Sequence, residues 1–158
     1  MKKAIYPGSF DPITMGHIDI VRRLSAVFSE LTVLISESPE KKYLFSTEER
    51  KAMIEQSFKG LGNIKVDVHT GLTIEYMKKN KIEVMVRGLR AVVDFEYEMG
   101  MASLNKKLAP ELETLLVFAS PEYYYVSSRA VKEVAKYGGK LDGLVPAHVM
   151  APLTARLR

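Results

Sequence analysis

The chain has 158 residues and a formal net charge of +4, from 23 Lys and Arg against 19 Asp and Glu. It contains no Cys, which excludes disulfides, thiolate metal sites and covalent thiol catalysis. The length is typical of one domain, no apolar run approaches the length of a membrane span, and the positive charge indicates an anionic partner, either nucleic acid or a phosphate-rich small molecule. We therefore expect a single domain over residues 1–158, without a membrane partner and located in the cytoplasm.

A short apolar run near the start of the chain, Ala4 to Tyr6, predicts a strand. Two turn-forming pairs follow, Pro7-Gly8 and Asp11-Pro12, and an amphipathic helix begins at Gly16-His17. A loop of this kind lies at the carboxyl edge of an open sheet, and the helix offers free N–H groups to an anion. His17 at the helix entrance is therefore either a surface residue or a residue that acts on a ligand.

The next segments complete a βαβ unit. The helix is predicted from an apolar stripe made of Ile18, Ile20, Val21, Leu24, Val27 and Phe28. The continuous apolar run from Leu31 to Ile35 predicts a strand covered on both faces. The polar segment 36–44, which contains Lys41, is either an ordinary surface loop or a second loop over the same crevice.

The middle of the chain predicts a helix, a strand and a second helix. Residues 46–49 form a capping box that opens the first of these helices, and Gly60 ends it. Residues 63–68 alternate like a strand, and His69 is interpreted as part of a loop. In the helix predicted for residues 73–80, Thr73 either caps the helix or faces a ligand.

A buried strand is predicted for residues 83–87, and it ends in two arginines, Arg87 and Arg90. At a strand end in this architecture, a phosphate role for these arginines is favoured over a structural salt bridge. Asp94 and Glu98 lie four residues apart on the helix predicted for residues 94–108. They are either a metal or acid–base pair or, more commonly, exposed acids on a long helix.

The last part of the chain predicts a fifth strand, residues 114–119, and two helices. Ser127 is the predicted N-cap of the first, which runs to Tyr137, and residues 146–158 form the second. The entrance Ser127-Ser128-Arg129 is either an anion site or simply a capped helix.

Five strands that alternate with helices predict an α/β fold with a single doubly wound, five-stranded, mostly parallel sheet. The polar residues that follow the strands, Ser9, His17, Lys41, Arg87, Arg90 and Ser127, should then face one crevice. This combination of cations, hydroxyls and helix N-termini indicates a site that positions phosphates.

Several motifs resemble one family. Thr14-x-Gly16-His17 resembles the T/HxGH signature of nucleotidyltransferases, and the string from Tyr6 to Thr14 is similar to that of bacterial phosphopantetheine adenylyltransferases. The similarity covers nearly the whole chain, and it is most specific at residues 87–98. The other matching segments are Lys41-Lys42, residues 45–50, Asn105-Lys106, residues 111–114, Ser127-Ser128 and residues 131–135.

The resemblance implies a Rossmann-like nucleotidyltransferase fold and the reversible transfer of an adenylyl group from ATP to 4′-phosphopantetheine. The products are dephospho-CoA and pyrophosphate, formed by direct in-line attack without a covalent enzyme intermediate, in the penultimate step of coenzyme A biosynthesis. It further implies Mg²⁺ held mainly by the phosphates and not by protein side chains, a homohexamer, CoA as a possible feedback ligand, and no nucleic-acid partner.

The resemblance also assigns residues. His17 would stabilise the transition state. The positions implied for ATP are Ser9, Phe10, His17, Gly88, Leu89, Arg90, Glu98, Tyr123, Tyr124, Tyr125, Val126, Ser127, Ser128 and Arg129. Those implied for the pantetheine substrate are Ser9, Lys41, Thr73 and Arg87. Arg129 departs from the usual Ser or Thr, and Tyr123 to Tyr125 replace an aromatic-Ser-aromatic pattern, from which we expect an altered ATP affinity.

Three alternatives stand beside this interpretation. The first is an adenylyl- or cytidylyltransferase acting on nicotinate mononucleotide or an alcohol phosphate, against which residues 87–98 argue. The second is a basic RNA-binding module, although the sequence has no RNP-like aromatic motif. The third is an inactive nucleotide sensor on the same fold.

Overall fold

The computed structural model describes residues 2–158, apart from the side chain of Val93; Met1, the first residue of the predicted domain, lies outside the described part. Its centre is a five-stranded sheet in the order β3-β2-β1-β4-β5, in which every pair of neighbours is parallel. The strands are β1 (Lys3–Gly8), β2 (Glu30–Glu37), β3 (Ile64–Thr70), β4 (Val84–Leu89) and β5 (Glu113–Phe118). The helices are α1 (Met15–Ser25), α2 (Thr47–Ser57), α3 (Thr73–Asn80), α4 (Val92–Leu108), α5 (Ser128–Lys136) and α6 (Ala147–Leu157), and a 3₁₀ turn spans Pro121–Tyr123.

Helices cover both faces of the sheet, which confirms the doubly wound α/β prediction. On one face, α1, α2, α5 and α6 pack over strand residues such as Tyr6 and Val33. On the other face, Ile5 and Leu34 pack against Ile74 and Met77 of α3. The central strands are buried on both sides because their apolar runs are continuous, as parallel sheets require.

The boundaries differ from the sequence predictions in several places; β1 and β4, for example, each extend two residues beyond the predicted strand end. The helix α1 ends at Ser25, so Val27 does not continue its apolar stripe and is 60% exposed. The strand β3 extends through His69, which was predicted as loop, because its pairing with β2 continues to Ser36↔His69 and Glu37↔Thr70. The capping box at Ser46 is confirmed, since its hydroxyl accepts from Glu49 N and Glu49 accepts from Ser46 N.

The sheet opens between β1 and β4. These strands pair only at Ala4↔Val84 and Ile5↔Met85, whereas β1 pairs with β2 along its whole length. Beyond the second pair the two chains separate, so the carboxyl ends of β1 and β4 form the walls of a crevice. This is the topological switch point of the sheet, where ligands bind in open α/β folds. Within residues 2–158, no helix is long and apolar enough to cross a membrane.

Candidate active site

Two cavities lie side by side in this crevice, with volumes of about 260 Å³ and 480 Å³. Four residues line both: Pro7 and Gly8 from the end of β1, Arg87 from β4 and Glu98 from α4. Two ligands bound in the two cavities would therefore meet at this common wall. The sequence predicted one crevice, and the structure divides it into two adjoining compartments.

The first cavity is closed by the entrances of two helices. From α1 it is lined by Gly16 and His17, and from α5 by Ser127 and Ser128. Each entrance presents backbone N–H groups that have no partner within the helix, and such groups bind anions. Ser127 caps α5 by accepting from Ala130 N at 3.1 Å. The predicted anion site at this entrance thus coincides with a real helix N-cap at the cavity wall.

His17 is held in one orientation by the loop that precedes α1. The backbone N–H of Thr14 donates to its Nδ1 at 3.1 Å, and the Thr14 hydroxyl lies 3.1 Å from the same atom. Because Nδ1 accepts from a backbone N–H, the proton of the neutral ring is on Nε2. Within the described residues Nε2 makes no hydrogen bond, and His17 lines the first cavity. The ring therefore offers one N–H donor to a ligand there.

The imidazole also stays uncharged over the physiological range. Burial, followed by the charges of Arg90 and Arg87, lowers the pKa of His17 from its ordinary 6.5 to about 4. Its edges contact two aromatic rings: the ring centroid of Phe10 lies at 5.0 Å and that of Tyr6 at 6.3 Å. The neutral ring can donate its Nε2–H to an anionic ligand beside the two cationic guanidiniums. The imidazole does not have to be protonated first.

This geometry predicts the titration of His17. In the free protein, the imidazole ¹⁵N signals of His17 should keep the Nε2–H tautomer from pH 8 to pH 5 and titrate near pH 4. Because the folded pKa lies below the unfolded one, the stabilisation from this group is complete above pH 6.5 and is lost as the pH falls towards 4. The signals are assigned by their absence in His17→Asn, and a midpoint near 6.5 would contradict the burial argument.

The partly exposed Arg87 and the buried Glu98 form an ion pair in the common wall. The Nε and Nη2 atoms of Arg87 donate to the two carboxylate oxygens of Glu98, both at 2.7 Å. Its Nη1 donates to the carbonyl of Pro7 at 2.8 Å, across the opening between β1 and β4. Burial alone would lower the pKa of Arg87, but the hydrogen bonds to Glu98 outweigh this and raise it. The salt bridge that the sequence analysis ranked second is thus present.

A second arginine of the first cavity has a similar partner. Arg90 donates from its backbone N, Nε and Nη2 to the carboxylate of Asp94, at 3.0 to 3.1 Å. The expectation that Asp94 and Glu98 are exposed acids is wrong, because each neutralises an arginine of the strand end. Glu98 is 8% exposed. Arginines with some N–H groups committed to carboxylates keep other N–H groups for a ligand, since a guanidinium has five.

The second cavity brings together the residues predicted for the pantetheine substrate. Ser9, Lys41, Thr73 and Arg87 all line it, although they come from four different segments. Ser36, Glu37 and Ser38, at the end of β2 and just after it, also line this cavity, so segment 36–44 does lie over the crevice, as one of its two interpretations expected. The rest of the wall includes Tyr97, Met101, Ala102 and Asn105 of α4, to which no site role was assigned, and the packing of α4 places them there.

Some predicted residues lie outside both cavities. Phe10 is buried against His17 and adopts a positive φ of 49°, and Leu89 is 1% exposed. Their side chains therefore pack beneath the site, and the ligand contacts expected of these two residues stay predictions. Tyr123, Tyr124, Tyr125 and Arg129 line neither cavity. Tyr123 borders Gly16, whose added Cβ would lie 3.5 Å from Tyr123 Cβ.

The side chains of Ile20 and Tyr6 leave little room for a side chain at Gly88. A Cβ at this position would lie 2.6 Å from Ile20 Cδ1 and 2.9 Å from the Tyr6 hydroxyl. Gly88 lines the first cavity, so its lack of a side chain also keeps that wall open. The prediction of Gly88 as a ligand-contacting residue stays a prediction, and its position is consistent with it.

Two buried charges hold the loops of the site, and sequence reasoning missed both. Asp11, interpreted only as part of a turn, is 4% exposed and accepts from Leu44 N and Phe45 N at 2.9 Å and from Lys132 Nζ at 3.0 Å. It thereby joins the loop after β1 to the loop after β2 and to α5. The second charge is Arg50, which is 1% exposed.

Comparisons with known proteins agree with this geometry. The family model described as "Cytidylyltransferase-like" matches residues 5–134. A solved structure of nicotinic acid mononucleotide adenylyltransferase from Plasmodium falciparum, complexed with NaAD, has a TM-score of 0.71 at 15% identity and covers 96% of this chain and 94% of that chain. At this identity the likeness shows the fold alone. Fold, site and family model together define a nucleotidyltransferase of the cytidylyltransferase-like class.

Curated relatives give a closer assignment. The phosphopantetheine adenylyltransferase of Bdellovibrio bacteriovorus is 60% identical over 157 residues, which cover 99% of this chain and 98% of the relative. That of Thermotoga neapolitana is 52% identical over 155 residues, which cover 98% and 96%. The chain belongs to the phosphopantetheine adenylyltransferase family, which confirms the resemblance seen in the sequence.

Proposed function

We propose that this protein transfers the adenylyl group of ATP to 4′-phosphopantetheine, forming dephospho-CoA and pyrophosphate. The observation that carries the proposal is the pair of adjoining cavities with a common wall at Pro7, Gly8, Arg87 and Glu98. The first, with two helix entrances and His17, suits a triphosphate. The second, with Lys41 and Arg87, suits a phosphate on a longer, partly apolar acceptor. Their junction is where the two phosphates would meet.

The reaction needs alignment more than acid–base chemistry. An oxygen of the acceptor phosphate forms a bond to the α-phosphorus, and the bond from that phosphorus to the bridging oxygen of pyrophosphate breaks. The acceptor phosphate is already ionised at neutral pH, so no general base is required. One phosphoric anhydride is broken and another is formed, which supports a reversible reaction. A direct transfer is consistent with the lack of Cys and with His17 being held by Thr14.

His17 acts on the α-phosphate in this proposal. Its Nε2–H donates to a non-bridging oxygen as negative charge builds up there, the role of a preorganised donor in other transfer reactions. Arg90 and the entrance of α5 at Ser127 and Ser128 bind the remaining phosphates. Arg129 lies in the first turn of α5 outside the cavity, and its positive charge near this entrance would favour a bound phosphate, which supports an altered ATP affinity.

We further propose that Mg²⁺ is held by the phosphates of ATP, where it neutralises their charge. The donor set of the first cavity fits this arrangement. Its carboxylates, Asp94 and Glu98, already accept hydrogen bonds from Arg90 and Arg87. Magnesium commonly binds through substrate phosphates and water with few protein ligands. The protein's part is then to place the phosphates, through His17 and the two helix entrances.

The proposal includes assembly into a homohexamer, a cytoplasmic location and CoA as a feedback ligand. One structural observation supports assembly: α4 and the edge strand β5 expose a set of apolar side chains. These are Val92, Phe95, Tyr97, Met99, Met101, Leu104 and Leu108 on α4 and Leu115 and Phe118 on β5. Exposed apolar surface of this extent is typical of an interface. Sedimentation equilibrium should give six times the chain mass of 17.8 kDa, and a monomer mass would contradict the assembly.

The function is tested by pyrophosphate release with ATP and Mg²⁺, run in parallel with 4′-phosphopantetheine, with nicotinate mononucleotide and without acceptor. We expect release only with 4′-phosphopantetheine. Release with nicotinate mononucleotide would assign the second cavity to another acceptor and leave the ATP site in place. No release with any acceptor would favour the nucleotide sensor.

A further inference from the structure

The buried guanidinium of Arg50, in α2, lies behind the wall of the second cavity. Its Nη1 donates to the carbonyl of Ser9 at 2.9 Å, and its Nη2 donates to Glu37 Oε1 at 2.7 Å. Its Cζ lies over the ring of Tyr43, 4.1 Å from the ring centroid. Arg50 itself does not line the cavity, and it is 1% exposed.

Each of these contacts leads to the cavity wall. Ser9 and Glu37, which accept directly from Arg50, both line the second cavity. The hydroxyl of Tyr43, the ring beneath the guanidinium, accepts from the backbone N of Ser38 at 2.9 Å, and Ser38 lines the same cavity. One side chain thus links three wall residues from the loops after β1 and β2.

The chemistry of arginine suits this linking role. A buried guanidinium is costly to desolvate, so a buried pair is weak grounds for inferring a gain in stability. Its planar fork, however, fixes several acceptors at set angles, which the flexible ammonium of lysine does not do. Asp11 also joins the loops after β1 and β2, through Leu44 N and Phe45 N, and it additionally accepts from Lys132 of α5. Of the two buried charges, Arg50 is the one whose acceptors, Ser9 and Glu37, line the second cavity.

We propose that Arg50 is a positioning residue for the acceptor cavity. It sets the spacing between Ser9 and the Glu37–Ser38 segment without touching either substrate, and it thereby decides how well the acceptor phosphate is aligned. The inference rests on the proposed function for the identity of the acceptor. It goes beyond that function by assigning to a residue of α2 a selective effect on one of the two substrates.

The test is the kinetics of Arg50→Lys with both substrates varied. We expect the KM for 4′-phosphopantetheine to rise about tenfold or more, as for other losses of substrate alignment, while the KM for ATP changes less than about twofold. Tyr43→Phe is the second variant. It keeps the ring under the guanidinium and removes only the acceptor of Ser38 N, so a smaller rise in the same KM is expected from a folded protein.

Arg156→Lys is the matched control. Arg156 also bonds a backbone carbonyl, that of Leu44, pairs with a glutamate of α2, Glu49, and stacks over an aromatic ring, that of Phe45. None of these partners lines either cavity. Both KM values should be unchanged in this variant, whatever its melting temperature.

The outcomes separate the two proposals. Selective loss of acceptor affinity in Arg50→Lys and Tyr43→Phe supports the positioning role. Equal changes in both KM values of Arg50→Lys would overturn the positioning role. If Arg50→Lys fails to fold, an unchanged KM for 4′-phosphopantetheine in Tyr43→Phe would overturn it as well. The proposed function stands in both cases. A wild-type protein that releases no pyrophosphate with 4′-phosphopantetheine would refute the proposed function, and the acceptor role of Arg50 with it.

Discussion

Replacement of His17 by Ala is expected to lower kcat by about 10²-fold or more, which is on the order of 3 kcal/mol of transition-state stabilisation. The reason is the loss of the Nε2–H donor that the Thr14 N–H fixes in place. The KM for ATP should change less, because the contact strengthens as charge develops on the α-phosphate. Steady-state kinetics with saturating 4′-phosphopantetheine measure the effect.

Two further variants separate catalysis from folding. In His17→Asn the side-chain oxygen occupies the place of Nδ1 and can still accept from Thr14 N, so the variant should fold normally and lose the same turnover. In His17→Gln the amide N–H reaches towards the place of Nε2, and part of the turnover should return. Full turnover in His17→Asn would remove His17 from the mechanism.

The second large effect is expected for Arg87→Ala. The KM for 4′-phosphopantetheine should rise about tenfold or more, since a hydrogen bond to a charged group contributes about 1.5–3 kcal/mol. The KM for ATP should rise less. The variant also leaves the buried Glu98 without its partner, and because Arg87 is partly exposed, the loss of folding free energy should stay below the about 3–5 kcal/mol of a fully buried pair. Chemical denaturation measures that loss separately from the kinetics.

Glu98→Gln is the control for this experiment. It removes the charge of the pair and keeps the guanidinium of Arg87 available to a phosphate. If Arg87 binds the acceptor, Glu98→Gln should leave the KM for 4′-phosphopantetheine nearly unchanged although stability falls. The same rise in KM in both variants, or equal effects of Arg87→Ala on the two substrates, would show that the ion pair has only a structural role.

The sequence was sufficient for the fold because the signals there are local. The continuous apolar run of β2 requires cover on both faces, and the cap at Ser46 depends on residues three apart. The order of strands and helices then leaves few topologies. The positions of His17, Arg87 and Ser127 at the first cavity were predictable for the same reason, since His17 and Ser127 lie at helix entrances and Arg87 lies near the carboxyl end of β4.

The parts that escaped prediction depend on partners outside their own helix or strand. In the sequence, Arg50 is one of several charged residues on a polar helix. No nearby residue indicates its hydrogen bond to the carbonyl of Ser9, which lies 41 residues away. Asp94 and Glu98 look like exposed acids because their partners belong to the preceding strand end. His69 was assigned to a loop because strand propensity ends there, whereas the length of β2 decides where β3 ends.

The single wall between the two cavities has a thermodynamic consequence. Arg87 touches both compartments and also spans the split between β1 and β4 through the carbonyl of Pro7. A ligand in one cavity that shifts the Arg87 guanidinium also changes the wall of the other cavity, and with it the contacts of a ligand bound there. The affinities of the two substrates are then linked, and linkage requires that each alters the affinity of the other by the same factor.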